Sequence, residues 1–333
     1  MAEKKLIIVS NRLPVRVSKS GGKLQFSPSS GGLATAMSSL EKPAKRVWIG
    51  WPGIASDNLS EAEKSQITKE LKKSNCQPVF LSKKQIDKYY HGFSNETLWP
   101  LFHYFQAQVK HETAYWDSYQ EVNEAFKKVV TKHAEPDSTV WVHDYQLMLL
   151  PSMIKSSLPT STIGFFLHTP FPSYEIFRLL PQRKQLLQGL LGADLIGFQV
   201  YDYARHFLSS TLRILGIENT HGLINIGNRV VKVDAFPIGI DYTKFAQASD
   251  NEKTKTYIQS LEKYYQGKKV ILSMDRLDYS KGIYQRLQAY EMFLEQNPQQ
   301  KKKIVLIVVA VPSRTEVQTY KELRATSKRR SAG

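Results

Sequence analysis

The chain has 333 residues, 41% of them hydrophobic, which is enough to bury a full core and points to two domains. Lys and Arg outnumber Asp and Glu by 46 to 30, a formal charge of +16. That charge suits nucleic acid, an anionic membrane surface or small phosphorylated substrates, but the basic residues are spread out and no C2H2, RRM or KH signature accompanies them, which argues against nucleic acid. The single cysteine, Cys76, excludes an intramolecular disulfide framework and a Cys-based metal site, and no apolar run reaches the 18 or so residues that would span a bilayer.

The chain enters at once into a strand, Leu6–Val9, with no long apolar leader before it, and the expected setting is the cytoplasm. Ser10-Asn11-Arg12-Leu13-Pro14 follows, then a Ser/Gly-rich loop, and Gly31-Gly32-Leu33-Ala34 opens a helix. Paired glycines at a helix start let backbone amides approach a phosphate, although a lone Gly-Gly is more often an ordinary flexible loop. There is no GxGxxG fingerprint, which argues against a nicotinamide dinucleotide site. Further strands are expected at Val47–Ile49, Val79–Leu81, Val140–Val142, Thr162–Leu167 and Leu195–Phe198. Helices are expected at Glu61–Ser74, Thr113–His133, Gln146–Ser156 and Tyr201–Leu215, where apolar residues recur at three- and four-residue spacing. Short β-branched runs alternating with amphipathic helices are the pattern of a parallel α/β sheet.

Within this series Tyr89-Tyr90-His91-Gly92-Phe93-Ser94-Asn95-Glu96-Thr97-Leu98-Trp99-Pro100 does not read as a strand; it clusters rings that can stack on sugar faces or simply pack. Trp141-Val142-His143-Asp144-Tyr145 puts two ionisable groups where a buried strand ends, and Phe165-Phe166-Leu167-His168-Thr169-Pro170 repeats the arrangement one αβ unit later. Each alone is readily a half-buried, hydrogen-bonded polar residue. Together they fall on the rim where open α/β sheets bind ligands, and a carboxylate with a histidine there can hold sugar hydroxyls.

An irregular or hairpin region is expected from Asn219 to Ala235, and the turn Pro237-Ile238-Gly239-Ile240-Asp241 marks a boundary between domains 1–237 and 238–333. Beyond it come strands at Val270–Met274 and Ile304–Ala310 around a helix Lys281–Gln296. The intervening Asp275-Arg276-Leu277-Asp278-Tyr279-Ser280-Lys281-Gly282 sets two cations five residues apart in a strand-to-helix connection. There the amides and helix dipole favour an anion such as a diphosphate; the competing reading is a solvated basic helix start.

In chain order, SNRLPV, GGLA, YYHGFSNETLWPLFHY, WVHDYQLMLLP, IGFFLHTPFPSYEIFRLLP, GADLIGFQ, FPIGID and RLDYSKG resemble the trehalose-6-phosphate synthase family, the retaining transferases of glycosyltransferase family 20. The resemblance implies a GT-B-like α/β fold of two Rossmann-like domains with parallel sheets, the first binding the acceptor and the second the nucleotide sugar. It also implies transfer of glucose from UDP-glucose to glucose 6-phosphate to give α,α-trehalose 6-phosphate and UDP, with no metal or other cofactor. Position by position, it assigns the acceptor to Arg12, Tyr90, Trp99, Asp144 and Arg314, and the donor to Gly31, Gly32, His168, Arg276 and Lys281, with Arg276, Lys281, His168 and Asp144 as the catalytic set. Partners are then small phosphorylated sugars, with no nucleic acid and no membrane. Retention without an evident nucleophile implies front-face attack as UDP departs, and the two cations would meet the charge growing on the leaving diphosphate.

One departure stands out. Where the resemblance implies a longer helix, an Asn–Gly turn and the rest of the second Rossmann domain, the chain reads Leu323-Arg324-Ala325-Thr326-Ser327-Lys328-Arg329-Arg330-Ser331-Ala332-Gly333. The expectation is therefore a C-terminally truncated, spliced or frameshifted synthase with an incomplete second domain. The alternative to an active enzyme is a catalytically inactive synthase-like subunit that binds glucose 6-phosphate or associates with full-length synthase.

Overall fold

A computed structural model describes residues 4–29, 32–33, 37 and 45–312. It divides into two compact units, Met1–Gly239 and Ile240–Gly333. The division falls within the Pro237–Asp241 turn.

The first unit is built on strands β1 (Leu6–Arg12), β2 (Val15–Ser20), β3 (Lys23–Pro28), β4 (Arg46–Trp51), β5 (Cys76–Pro78), β6 (Thr139–His143), β7 (Thr162–Leu167), β8 (Leu195–Phe198), β9 (Leu223–Ile226) and β10 (Arg229–Ala235). Eight of them form one sheet in the order β5-β4-β1-β6-β7-β8-β10-β9. The pairings are parallel except for the β9–β10 hairpin. The central strands are apolar on both faces: Ile7, Ile8, Val9, Val140, Val142, Ile163 and Phe165 are all buried, as expected of a parallel sheet covered by helices on both sides.

Those helices follow from sequence. Glu61–Lys72 starts on a capping box, with the Ser60 hydroxyl accepting from the Glu63 amide and Glu63 answering from the N3 position, and buries Ile67 and Leu71. Thr113–His133 buries Tyr115, Tyr119, Val122, Phe126 and Val130 at three- and four-residue spacing, and Tyr201–Leu215 ends on Gly216 at φ +70. The expected helix Gln146–Ser156 is instead a single tight turn, Tyr145–Leu147, and then Leu150–Ser157 with Pro151 in its first turn, where its missing N–H costs nothing. Two further readings need correction. The strand expected at Val79–Leu81 is Cys76–Pro78, an edge strand closed by its proline. The stretch expected as a loop after Pro14 holds the β2–β3 hairpin, turned by Gly21 and Gly22 at φ +55 and +76.

Topology sets the site. From β1 the chain passes outward to β4 and β5, then crosses back to β6 on the other side of β1 and continues to β7 and β8. The order of strands reverses between β1 and β6, and a doubly wound sheet leaves its ligand crevice at the carboxyl ends flanking such a reversal.

The second unit contains strands β11 (Lys269–Leu277) and β12 (Ile304–Pro312), parallel and in register along their whole length, with helices Glu252–Tyr264 and Ile283–Gln296. Helix Ile283–Gln296 begins two residues later than expected, because Tyr279–Lys281 forms a separate tight turn and Gly282 takes φ +62.

Candidate active site

Arg12 is the last residue of β1 and Asp144 directly follows β6, so the two stand on either side of the reversal. The β1–β4 register slips between Val9 and Arg12 and brings Arg12 level with Trp51. The Arg12 guanidinium carbon then lies 3.9 Å from the Trp51 ring centroid and 5.7 Å from that of Tyr90, with the two rings themselves 6.0 Å apart edge to face, a cation over the Trp51 ring and beside Tyr90. Gly53 completes this corner: its φ is +97, and a Cβ there would lie 2.6 Å from Arg12 Nη1. Part of Arg12 remains open to solvent, yet the protein packed around its guanidinium holds its pKa below the usual arginine value, chiefly by desolvation and against the pull of Tyr90. It stays a cation with five fixed donors, suited to a phosphate.

Tyr90 belongs to a helical segment, Ile86–Leu98, that widens to the i→i+5 pattern over its full length, a geometry found disproportionately at functional sites. The widening leaves Tyr89 buried and Tyr90 half-buried beside Arg12. Tyr89 Oη donates to Asn11 Oδ1 at 3.1 Å, and Tyr145 Oη donates to Asn95 Oδ1 at 3.0 Å, so the segment is tied to both β1 and the β6 exit. Trp99, buried at its end, lies 5.7 Å between ring centroids from Tyr145.

Asp144 has φ +75 and ψ 169, a region that glycine occupies almost alone and that costs an aspartate roughly 1–3 kcal/mol. Two hydrogen bonds hold it there. Its amide donates to the Phe166 carbonyl at 2.8 Å, and its Oδ1 accepts from the His168 amide at 3.2 Å. The β6 and β7 exits are thus laced together, with the carboxylate aimed along the rim. A second link runs between side chains: His143 Nδ1 lies 3.0 Å from His168 Nε2. Burial pushes both imidazole pKa values below the usual histidine value, for His143 with a further contribution from His168, and for His168 against an opposing pull from Asp144.

The structure therefore brings Arg12, Tyr90, Trp99, Asp144 and His168 into one connected rim of the first unit. Gly32 is exposed in a helical stretch, whereas Gly31 and Arg314 lie outside the described residues. In the second unit Arg276 is exposed within β11 and Lys281 is exposed at the end of the tight turn before Gly282. Asp278, fully buried, caps that turn by accepting from the Ser280 amide at 2.9 Å. Trp51, Gly53 and His143 are the rim residues that the sequence reading left unassigned. Only His143 carried a signal, as the neighbour of Asp144; Trp51 reaches Arg12 through strand pairing, which no local motif announces. Cys76 is buried and its thiol is pushed up to about 11 by desolvation, so it is not a reactive nucleophile.

An open, mostly parallel sheet with an arginine stacked on Trp51 and a strained carboxylate flanking its point of reversal defines a doubly wound α/β protein whose candidate ligand crevice lies at the strand exits. Residues 4–331 match the model of glycosyltransferase family 20, and the chain belongs to that family. It is 49% identical over 328 residues to alpha,alpha-trehalose-phosphate synthase [UDP-forming] 2 of Aspergillus niger, covering 96% of this chain and 68% of that protein. Among solved structures it resembles the E. coli trehalose-6-phosphate protein bound with UDP-2-fluoro glucose, with TM-score 0.82, 30% identity, and coverage of 98% of this chain and 69% of that one. It also resembles the N-terminal domain of Candida albicans trehalose-6-phosphate phosphatase, with TM-score 0.84, 32% identity, and coverage of 99% and 69%. The chain thus spans about two thirds of the length of these relatives, and its fold is of the GT-B type. Among the described residues no helix is long and apolar enough to cross a membrane.

Proposed function

We propose that this chain is a retaining glycosyltransferase that moves glucose from UDP-glucose to glucose 6-phosphate, yielding α,α-trehalose 6-phosphate and UDP in the cytoplasm. The observation that carries the reading is Asp144, a non-glycine residue kept at φ +75 beside a stacked arginine at the reversal of the sheet. Strain of that kind persists where the surroundings over-determine it, and an acceptor-binding carboxylate is a sufficient reason.

In this reading Arg12 and Tyr90 take the acceptor phosphate, with Arg314 as a further cation, while Asp144 accepts hydrogen bonds from the acceptor hydroxyls and Trp99 lines their pocket. His168 contacts the transferred glucose, and Gly31 and Gly32 let the backbone approach the donor. Arg276 and Lys281 meet the diphosphate. As the glycosidic bond to UDP breaks, negative charge gathers on the leaving phosphate, and fixed cations stabilise that charge more in the transition state than in the bound substrate. The same phosphate oxygen can take the proton of the attacking hydroxyl on the same face, so the reaction needs neither an enzyme nucleophile nor a resident metal or other cofactor.

A second reading is a synthase-like subunit that binds glucose 6-phosphate without turnover and associates with a full-length synthase. The likeness to a domain of a phosphatase and the apolar side chains exposed on the second unit favour it. Release of UDP from UDP-glucose on adding glucose 6-phosphate, with binding of each sugar followed by calorimetry, separates the two. Turnover that requires both sugars supports the transferase, acceptor binding without UDP release selects the subunit, and binding of neither sinks both.

A further inference from the structure

His143 ends β6 with 1% of its surface exposed, and its ring packs 4.6 Å from that of Trp141 and 5.2 Å from that of His168. Its Nδ1 meets His168 Nε2 at 3.0 Å, while its Nε2 is buried with no hydrogen-bond partner among the described residues. Two neutral imidazoles can share one hydrogen bond in two ways. If His168 donates from Nε2, His143 must carry its own proton on Nε2 and bury an N–H with nothing to receive it. If His143 donates from Nδ1, the buried atom is only a lone pair. Orphaned N–H donors are the rarer and costlier of the two, so the second arrangement prevails. His168 then holds its proton on Nδ1, the ring nitrogen left for a ligand.

We propose that His143 is a positioning residue that fixes the tautomer of His168, so that His168 offers an Nδ1–H donor to a hydroxyl oxygen of the transferred glucose. The inference rests on the proposed function for the identity of the sugar, but the tautomer itself does not. The role parallels the partners that set ring orientation and proton position in other histidine sites. Asp144 is the charged group that acts on His168: its Oδ1 accepts from the His168 amide and its charge opposes the effect of burial on the ring, while the choice between the two tautomers rests on the buried Nε2 of His143.

Nitrogen NMR on the full chain labelled at histidine tests this without substrate. The expected spectrum shows His168 protonated at Nδ1 and a through-hydrogen-bond coupling between His143 Nδ1 and His168 Nε2. A proton on His168 Nε2 overturns the proposal. In titrations, His143→Phe, which removes the donor, is expected to weaken UDP-glucose binding roughly 5- to 10-fold and to leave UDP, which lacks the sugar, unchanged. His143→Asn, whose amide can replace Nδ1–H, is expected to restore UDP-glucose binding to within about threefold of wild type. Equal weakening of UDP and UDP-glucose by His143→Phe would mark a merely structural residue. If His143→Phe does not fold, the wild-type spectrum decides. If wild type binds no UDP-glucose, the proposed function fails while the tautomer assignment still stands or falls on the spectrum.

Discussion

Strands β7 and β11 carry similar apolar runs, Ile163 to Leu167 in the first unit and Val270 to Met274 in the second, yet they meet opposite surroundings. Ile163, Phe165, Phe166 and Leu167 are buried, whereas Val270, Ile271, Leu272 and Met274 are exposed, Met274 to 64%. The helices repeat the contrast. Thr113–His133 buries a continuous stripe, while Glu252–Tyr264 buries nothing among the described residues and shows Tyr257, Leu261 and Tyr264 to solvent. An unbroken apolar strand is written for a sheet covered on both faces; only packing determines whether that burial contributes to stability. The first unit should therefore hold most of the stability, and the second should contribute chemistry from a thinner scaffold.

Truncating the core of the first unit is the most severe way to test that contrast. Phe126→Ala should cost about 3–5 kcal/mol in denaturant unfolding, and Leu272→Ala less than about 1 kcal/mol; equal losses would break the comparison. Arg276→Ala should instead spare stability and lower turnover roughly 100-fold, from about 2–3 kcal/mol of charge-assisted hydrogen bonding lost at the leaving group. A rate within threefold of wild type in a steady-state assay would remove Arg276 from the diphosphate. At Asp144 an asparagine tolerates positive φ better than alanine, so Asp144→Asn isolates the charge. It should raise the KM for glucose 6-phosphate about tenfold with kcat changed less than about threefold; an unchanged KM would take the carboxylate out of the acceptor site.

A pH dependence of stability tests the first unit in a different way. His143 and His168 are held below the ordinary value of 6.5 in the folded chain, so below that value the unfolded chain binds protons that the folded chain refuses. Stability should therefore be flat above about pH 7.5 and fall as pH drops through 6.5, by at most about 1.4 kcal/mol per pH unit for each imidazole. Urea midpoints between pH 8 and 5 measure this, and His143→Asn should flatten the slope. A slope unaffected by that substitution would assign the titration elsewhere.

Local pattern was enough for much of the fold. Thr162–Leu167, Leu195–Phe198, Thr113–His133 and Tyr201–Leu215 lie where their periodicity places them, because each has a full apolar face that fits a single conformation. The misread elements are those in which local signals compete. Val79 and Leu81 are apolar and buried but sit beyond Pro78, outside the sheet. The β2–β3 hairpin was masked by its serines and glycines, although Gly21-Gly22 between alternating residues is itself a hairpin signal. The widened helix Ile86–Leu98 has no distinguishing periodicity, since its geometry answers to what Tyr89, Phe93 and Asn95 must reach.

The sequence by itself determined the parallel α/β class and the candidate residues on the strand exits, because alternating strand and helix patterns and charged strand ends are local properties of the chain. Tertiary structure alone decided that Trp51 stacks on Arg12, that Gly53 leaves room for it, that Asp144 is bent into a glycine's conformation, and that His143 reaches His168. Each of those depends on the order of strands in the sheet and on a register slip between β1 and β4, which bring residues dozens of positions apart within hydrogen-bond or ring-stacking distance.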